Sequence, residues 1–424
     1  MRRTLLLIPH EIAGIPIFGI GWLLGLIVIA LVVRLVIAKR SGQSLGQSVG
    51  GEILMWGIVA AAVVFVLPAV ELKTAHGEPV GMAIRGYGVM LLAGVSSAVG
   101  LAAYRAKNRN IDPDVIYSLA PWVFVGGIAG ARIFYLVQYR DKFQWDSIGW
   151  YMRNLFSFTE GGLVVYGSFI GGFLAGVFFI TRHKLPLLRL GDAIIPCMFL
   201  GVFLGRIGCL MNGCCYGGRC EDGWAALRFP AGSAVYGEQL ADGELLGLDV
   251  HPLTGRIENV HSGSLAAQAG IEPGSSFDGV QLDPIPLADA PHDLPVEEIL
   301  PGITATVDGR TYRWSPSELP KSALPVQAAQ LISSISALTL CLLLCGLSYV
   351  FRKEGAIMML GFAGYATLRF ILEMVRVDEA GQFGTLLTIS QWVSVVVFLL
   401  SAAGMIWVYR RPSTGSALPG PDPA

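Results

Sequence analysis

Two arginines stand in stretches of this sequence that are otherwise apolar. The first lies in Gly205-Arg-Ile-Gly-Cys-Leu-Met-Asn-Gly-Cys-Cys-Tyr-Gly217 and the second in Gly364-Tyr-Ala-Thr-Leu-Arg-Phe-Ile-Leu-Glu-Met-Val-Arg376. A charge in such a run is costly in lipid, so it marks either a site or a side chain that snorkels to the interface. Beside Arg206 stand Asn212 and a run of glycines that can expose backbone N–H groups to an anion. Arg369, Glu373 and Arg376 follow spacings of four and three, share one helix face, and let Glu373 fix the arginines. Two guanidiniums at the same end of their helices can clamp one phosphate through paired hydrogen bonds. Snorkelling explains a single arginine about as well as a site does. Two arginines together with Asn212, Glu373 and adjacent glycines favour the site.

Two further segments gain weight only from that company. Glu160-Gly-Gly-Leu-Val-Val-Tyr-Gly-Ser-Phe-Ile-Gly-Gly172 opens an apolar span with closely spaced glycines and with Tyr166, and Arg85-Gly-Tyr-Gly-Val-Met90 carries Tyr87. Alone, each reads as glycine packing with an interfacial tyrosine anchor. Cys209, Cys214, Cys215 and Cys220 also crowd together, but their spacing lacks the C-x-x-C knuckle of common zinc sites. Apolar packing is the favoured reading of that group, a Cys220 disulfide with Cys214 or Cys215 the next, and zinc the last; no metal is expected. Cys197, Cys341 and Cys345 lie in apolar runs and read as packing residues.

The elements that must position these residues are membrane spans. Of 424 residues, 53% are hydrophobic and 14% charged, and the mean hydropathy is +0.59, well outside the range of soluble domains. The net charge of −1 gives no basic field for nucleic acid. Apolar stretches of spanning length recur near 16–38, 53–70, 86–104, 115–137, 162–180, 190–210, 326–350, 356–375 and 389–409. The expectation is an all-α polytopic membrane protein of about nine transmembrane helices. One alternating set of loops carries Lys39 and Arg40, Arg105 to Arg109, Arg182 to Arg189, Arg352 and Lys353, and Arg410 and Arg411, which makes that set cytoplasmic. Arg2, Arg3, Arg140, Lys142 and Arg153 point the other way and are outnumbered.

The segment 240–323 breaks this pattern with Asp, Glu, Pro, Gly and short alternating stretches, so it reads as a small soluble β-rich insertion on the extracytoplasmic side. Within it, Ser262-Gly-Ser-Leu-Ala-Ala-Gln-Ala-Gly-Ile-Glu-Pro-Gly274 resembles part of a PDZ domain, with Ser264 capping a short helix that Gly270 ends. A PDZ-like fold implies a groove for a peptide strand.

Several ordered motifs together resemble the prolipoprotein diacylglyceryl transferase family over about 86–407. They are Gly86-Tyr-Gly, Gly130-Ala-Arg-Ile, Gly161-Gly-Leu-Val-Val-Tyr-Gly, Gly205-Arg-Ile-Gly with Asn212-Gly and Gly217, Leu324-Pro with Gln330-Leu, Tyr365 through Arg369 and Glu373 to Arg376, and Gln391. The resemblance implies a bundle open to the membrane and to the extracytoplasmic face of a bacterial inner membrane. It divides the chain into extra N-terminal helices (1–80), a transferase core in two parts (81–239 and 324–411), the insertion (240–323) and a tail (412–424). It also implies transfer of diacylglyceryl from phosphatidylglycerol to the cysteine thiol of a prolipoprotein held through its signal peptide, without a cofactor. Arg206, Arg369, Tyr87 and Tyr166 are the catalytic candidates. Arg206, Arg369, Asn212, Gly217, Glu373 and Arg132 are the substrate-binding candidates.

This chain departs from the family pattern in three places. Tyr166-Gly-Ser stands where many members have a histidine before two glycines, Cys214 stands for a glutamate, and Gln327-Ala stands for His-Pro. The proton acceptor is therefore open between Tyr166, whose free pKa near ~10 makes it a poor base, and a phosphate oxygen of the lipid, with Tyr166 as a polar orienter. Two other classes compete with the enzyme: a non-catalytic scaffold or lipoprotein-sorting receptor, and a transporter, against which the clustering of charges toward one face argues.

Overall fold

The computed structural model describes residues 4–12, 15–40, 56–57, 59–139, 162, 164–223, 226–252, 254–285, 291, 294–375, 385 and 387–411. Arg2, Arg3, Arg140, Lys142, Arg153, Glu160, Gly161, Arg376 and the 412–424 tail lie outside the described residues, as do the side chains of Tyr166, Lys39 and Arg40.

The protein is mostly helical. Among the described residues, six helices are long and apolar enough to cross a membrane: α2 (Gly86–Lys107), α3 (Pro113–Gln138), α5 (Leu187–Asn212), α8 (Ala329–Leu347), α9 (Ala356–Val375) and α10 (Ile389–Arg410). The hydropathy pattern suggested nine. Of the others, α1 (Ile20–Arg40) and α4 (Val165–Arg182) are apolar but shorter over their described side chains. The stretch 53–70 is described in part, as a π turn at Ala62–Val66 running into a helical turn at Leu67–Val70. Between α5 and α8 come two short helices, α6 (Ala234–Ala241) and α7 (Leu265–Gln268).

The chain forms two compact units. The first takes in 1–89 and 208–328. Its N-terminal part pairs β1 (Thr4–Pro9) antiparallel with β5 (Pro79–Arg85), Leu7 facing Ala83, and β5 in turn with β4 (Leu72–Lys73). A hairpin of β2 (Glu11–Ile12) and β3 (Ile15–Pro16) follows β1. The later part holds β6 (Ala226–Leu227) against β12 (Val326–Gln327), β7 (Leu248–Val250) against β8 (Ile257–Val260), and a sheet of β9 (Phe277–Leu282), β10 (Ile303–Val307) and β11 (Arg310–Trp314) with β10 central. These sheets are small and open. They close over a core of Phe229, Leu246, Leu248, Ile257, Ile303 and Val326. That core starts before residue 240, so α6 packs with the strands of the insertion. Ser264 caps α7 by accepting from the Ala267 N–H, and Gly270 ends it at φ +74°, as the sequence implied.

The second unit takes in 90–207 and 329–424. Helices α3 and α4 meet through glycines: a Cβ on Gly130 would stand 2.3 Å from the Gly167 carbonyl, and one on Gly171 would stand 2.2 Å from the Gly126 carbonyl. Without side chains there, the backbones approach more closely than any other residue permits. Asp192 of α5 accepts from the Gly355 and Met358 N–H groups, both at 2.8 Å, and so caps α9. Arg105 donates to the Ala193 and Asp192 carbonyls at 3.0 Å. The basic residues near 105–109 therefore anchor one helix to the next.

Candidate functional site

Arg369 lies on α9, and its position is fixed from the neighbouring helix α10. Its Nη2 donates to Ser390 Oγ at 3.0 Å and stands 2.8 Å from Glu373 Oε2, one turn on. That oxygen accepts no well-directed hydrogen bond among the described residues, so the contact is a charge pair. Glu373 is only 4% exposed and its other oxygen accepts from Thr388 Oγ1 at 3.3 Å. Thr388 is itself the N-cap of α10, in a capping box with Gln391. The pairing of Arg369 with Glu373 was legible from their spacing. The roles of Thr388 and Ser390 were missed, although Thr388-Ile-Ser-Gln391 carries the capping-box signature.

The level of Arg206 follows from how α5 packs on α9. Met358 lies over Gly191, Ile195 over Gly361, and the rings of Phe199 and Tyr365 are 5.9 Å apart. Both residue numbers rise together, so the two helices run parallel. Two turns beyond Phe199, at about 1.5 Å per residue, Arg206 comes level with Leu372, about 5 Å beyond Arg369 along the axis. Both arginines stand at the same end of their helices. Arg206 is half-buried and makes no hydrogen bond or ion pair among the described residues. Antiparallel α8 completes this side: Leu340 meets Gly364, Leu344 meets Gly361, and Ser334 Oγ donates to the Phe203 carbonyl at 3.1 Å. Glu373 offsets one of the two guanidinium charges and no described residue offers Arg206 a counter-charge, so among the described residues the pair keeps a net positive charge. Such a place suits an anion.

Arg132, on α3, is 3% exposed. Its Nη1 donates to the Gly162 carbonyl at 3.0 Å and its guanidinium sits 5.3 Å from the centre of the Tyr135 ring. It holds the segment that enters α4, where Tyr166 occupies the first turn. Gly162 takes φ +82°, and a Cβ there would meet Tyr135 at 2.5 Å, so this entry needs glycine.

Tyr87, Asn212 and Gly217 belong to the first unit. Gly86, at the start of α2, has Met211 against it, the methyl 2.7 Å from where a Cβ would be. The turn that carries exposed Tyr87 thus adjoins the end of α5 that carries Asn212. Gly217 is buried and its N–H donates to the Gln327 carbonyl at 3.0 Å. Cys220 forms no disulfide. Cys209, Cys214 and Cys215 bring their sulfurs together instead.

Against known families, residues 78–407 match the prolipoprotein diacylglyceryl transferase family. A phosphatidylglycerol–prolipoprotein diacylglyceryl transferase of Rhodopirellula baltica is 43% identical over 453 aligned positions, covering 99% of this chain and 92% of that one. Relatives of the same name from Trichormus variabilis (33% identity) and, numbered 2, from Clostridium perfringens (31%) match 32% and 37% of this chain, and 46% and 59% of their own lengths. The Rhodopirellula match runs through the insertion; the shorter ones cover about a third of the chain.

Proposed function

The chain belongs to the prolipoprotein diacylglyceryl transferase family, and from that premise we propose how its residues carry out the transfer. It is a multi-pass membrane enzyme that moves diacylglyceryl from phosphatidylglycerol to a prolipoprotein. In the reaction the cysteine sulfur attacks the glycerol carbon that bears the phosphate. A carbon–sulfur bond forms, the carbon–oxygen bond breaks, and glycerol phosphate leaves.

Arg206 and Arg369 bind the phosphate and neutralise it as that bond breaks. What supports this is their shared end on parallel helices, with Arg369 steadied by Glu373 and Ser390 and Arg206 making no hydrogen bond or ion pair among the described residues. A fixed charge in a dry site costs no reorganisation at the moment of reaction. Glu373 aims Arg369, Arg132 holds the entry to α4, and Tyr166 orients the substrate. The family motifs support Tyr87 as a further catalytic residue and Asn212 and Gly217 as further substrate-binding residues. A phosphate oxygen takes the thiol proton, which leaves with the glycerol phosphate. No cofactor takes part.

The proposal extends to location. The enzyme sits in a bacterial inner membrane with nine spans, and its insertion faces outward as a PDZ-like module that takes a peptide strand. The capped helix between β8 and β9 supports the last point. The test is a detergent–lipid assay of glycerol phosphate release with phosphatidylglycerol and a lipobox peptide. Arg206→Gln and Arg369→Gln should each lower kcat at least ~100-fold, the scale of losing one preorganised charge donor. Retention of more than a tenth of the rate by either would sink the assignment.

A further inference from the structure

The three thiols at the end of α5 form a cluster that the transfer reaction does not use. Helix α5 ends in a Schellman turn. The Cys214 N–H donates to the Cys209 carbonyl at 3.1 Å and the Gly213 N–H to the Leu210 carbonyl at 3.3 Å, with Gly213 at φ +72°. That motif brings the third residue from the helix end against the second residue past it, here Cys209 against Cys214. An apolar contact between those two positions is ordinary. The next residue is not: Cys215 takes φ +59°, a left-handed backbone that costs a non-glycine residue of order 1 kcal/mol or more. The three sulfurs lie within 4.8 Å of one another, and among the described residues no histidine or carboxylate joins them. Cys215 is exposed and Cys209 and Cys214 are half-buried, so the cluster has one open side.

We propose that Cys209, Cys214 and Cys215 bind one thiophilic metal ion, Zn(II) or Cu(I), through three thiolates, leaving one position open. Three sulfurs without oxygen or nitrogen partners suit soft ions of this kind. Metal–sulfur bonds of about 2.3 Å set thiolates about 4 Å apart, so side-chain rotations of under about 1 Å complete the site. The spacing hides it: C-x4-C-C lacks the C-x-x-C knuckle, and it is the Schellman turn that supplies the proximity. Binding displaces the thiol protons to solvent and ties the end of α5 to the strand of chain leading to Gly217. The inference stands apart from the transfer mechanism.

The test uses the full chain, purified reduced and without air in detergent, with Cd(II) as the probe. One equivalent should give a thiolate-to-cadmium charge-transfer band, and Zn(II) or Cu(I) should displace it. Alkylation followed by mass spectrometry should find Cys209, Cys214 and Cys215 protected by the ion and Cys220 unprotected. Cys215→Ser, at an exposed position, should weaken binding beyond the ~10–100-fold that losing an outer-shell partner costs, and Cys220→Ser should leave it unchanged. Unprotected thiols in the wild-type chain, wild-type affinity in Cys215→Ser, or a Cys209–Cys214 disulfide in protein taken directly from membranes would each overturn the proposal.

Discussion

Gly171→Ala tests whether the α3–α4 contact positions the segment that carries Tyr166. The added methyl would stand 2.2 Å from the Gly126 carbonyl oxygen and 2.8 Å from the Gly130 Cα. Both are backbone atoms, so no side chain can turn away. The helices must part by about 1 Å to restore ordinary contact, and overpacking of this kind costs about 1–3 kcal/mol. Because only backbone can yield, the upper end is expected. At about 2–4 °C per kcal/mol for a domain of ~200 residues, thermal unfolding of the purified protein in detergent should fall by ~5–10 °C. Transferase activity at a permissive temperature should fall too, since parting α3 from α4 also parts Arg132 from the Gly162 carbonyl. Gly100→Ala, whose Cβ would meet nothing within 4 Å, is the control and should unfold like the parent. Equal unfolding of Gly171→Ala and Gly100→Ala would refute the reasoning.

Three more perturbations separate positioning from stability. Glu373→Gln keeps the shape and a partner for Thr388 but removes the charge beside Arg369, so kcat should fall ~10-fold or more, equal to ~1.4 kcal/mol, with KM for phosphatidylglycerol little changed; an unaltered kcat would show that Glu373 does not aim the arginine. Ser264→Ala removes the cap of α7 and should cost about 1 kcal/mol, read as faster amide exchange at Ala267 with activity intact; unchanged protection would contradict the cap. The Ser276 N–H, donating to Asp308 at 2.8 Å, holds that carboxyl below its ordinary range. The stability it lends is therefore present above the unfolded value near ~3.9 and lost as pH falls through the lower folded value. Protection of the Ser276 amide should drop over that window and lose its acid dependence in Asp308→Asn; the same dependence in the variant would refute the link.

Much of this protein was legible in local pattern. Hydropathy marked α2, α3, α5, α8, α9 and α10 because a spanning helix must carry a run of apolar residues. The pair Arg369 and Glu373 was legible because a helix turns once in 3.6 residues. The capped turn at Ser264 was legible because its chemistry lies within a few residues. What escaped depends on distant partners. Nothing local says that β1 pairs with β5 some seventy residues on, with a Cβ on Gly81 excluded by the Ile8 carbonyl at 2.1 Å. The parallel packing of α5 on α9 depends on Gly191 and Gly361 meeting Met358 and Ile195, which neither segment reveals alone. The cysteine group was visible in the sequence, but which of its thiols meet was not. Its spacing fits no ligand motif, and its proximity comes from backbone geometry at a helix end.

The most direct test of the central claim is mass gain on a reporter lipoprotein in cells depleted of their own transferase and supplied with this chain. A diacylglyceryl increment that Arg206→Ala and Arg369→Ala both abolish, in correctly inserted protein, is the predicted result. An unmodified reporter with the parent chain, or full modification with either alanine variant, would contradict the account; the first would favour a non-catalytic membrane scaffold.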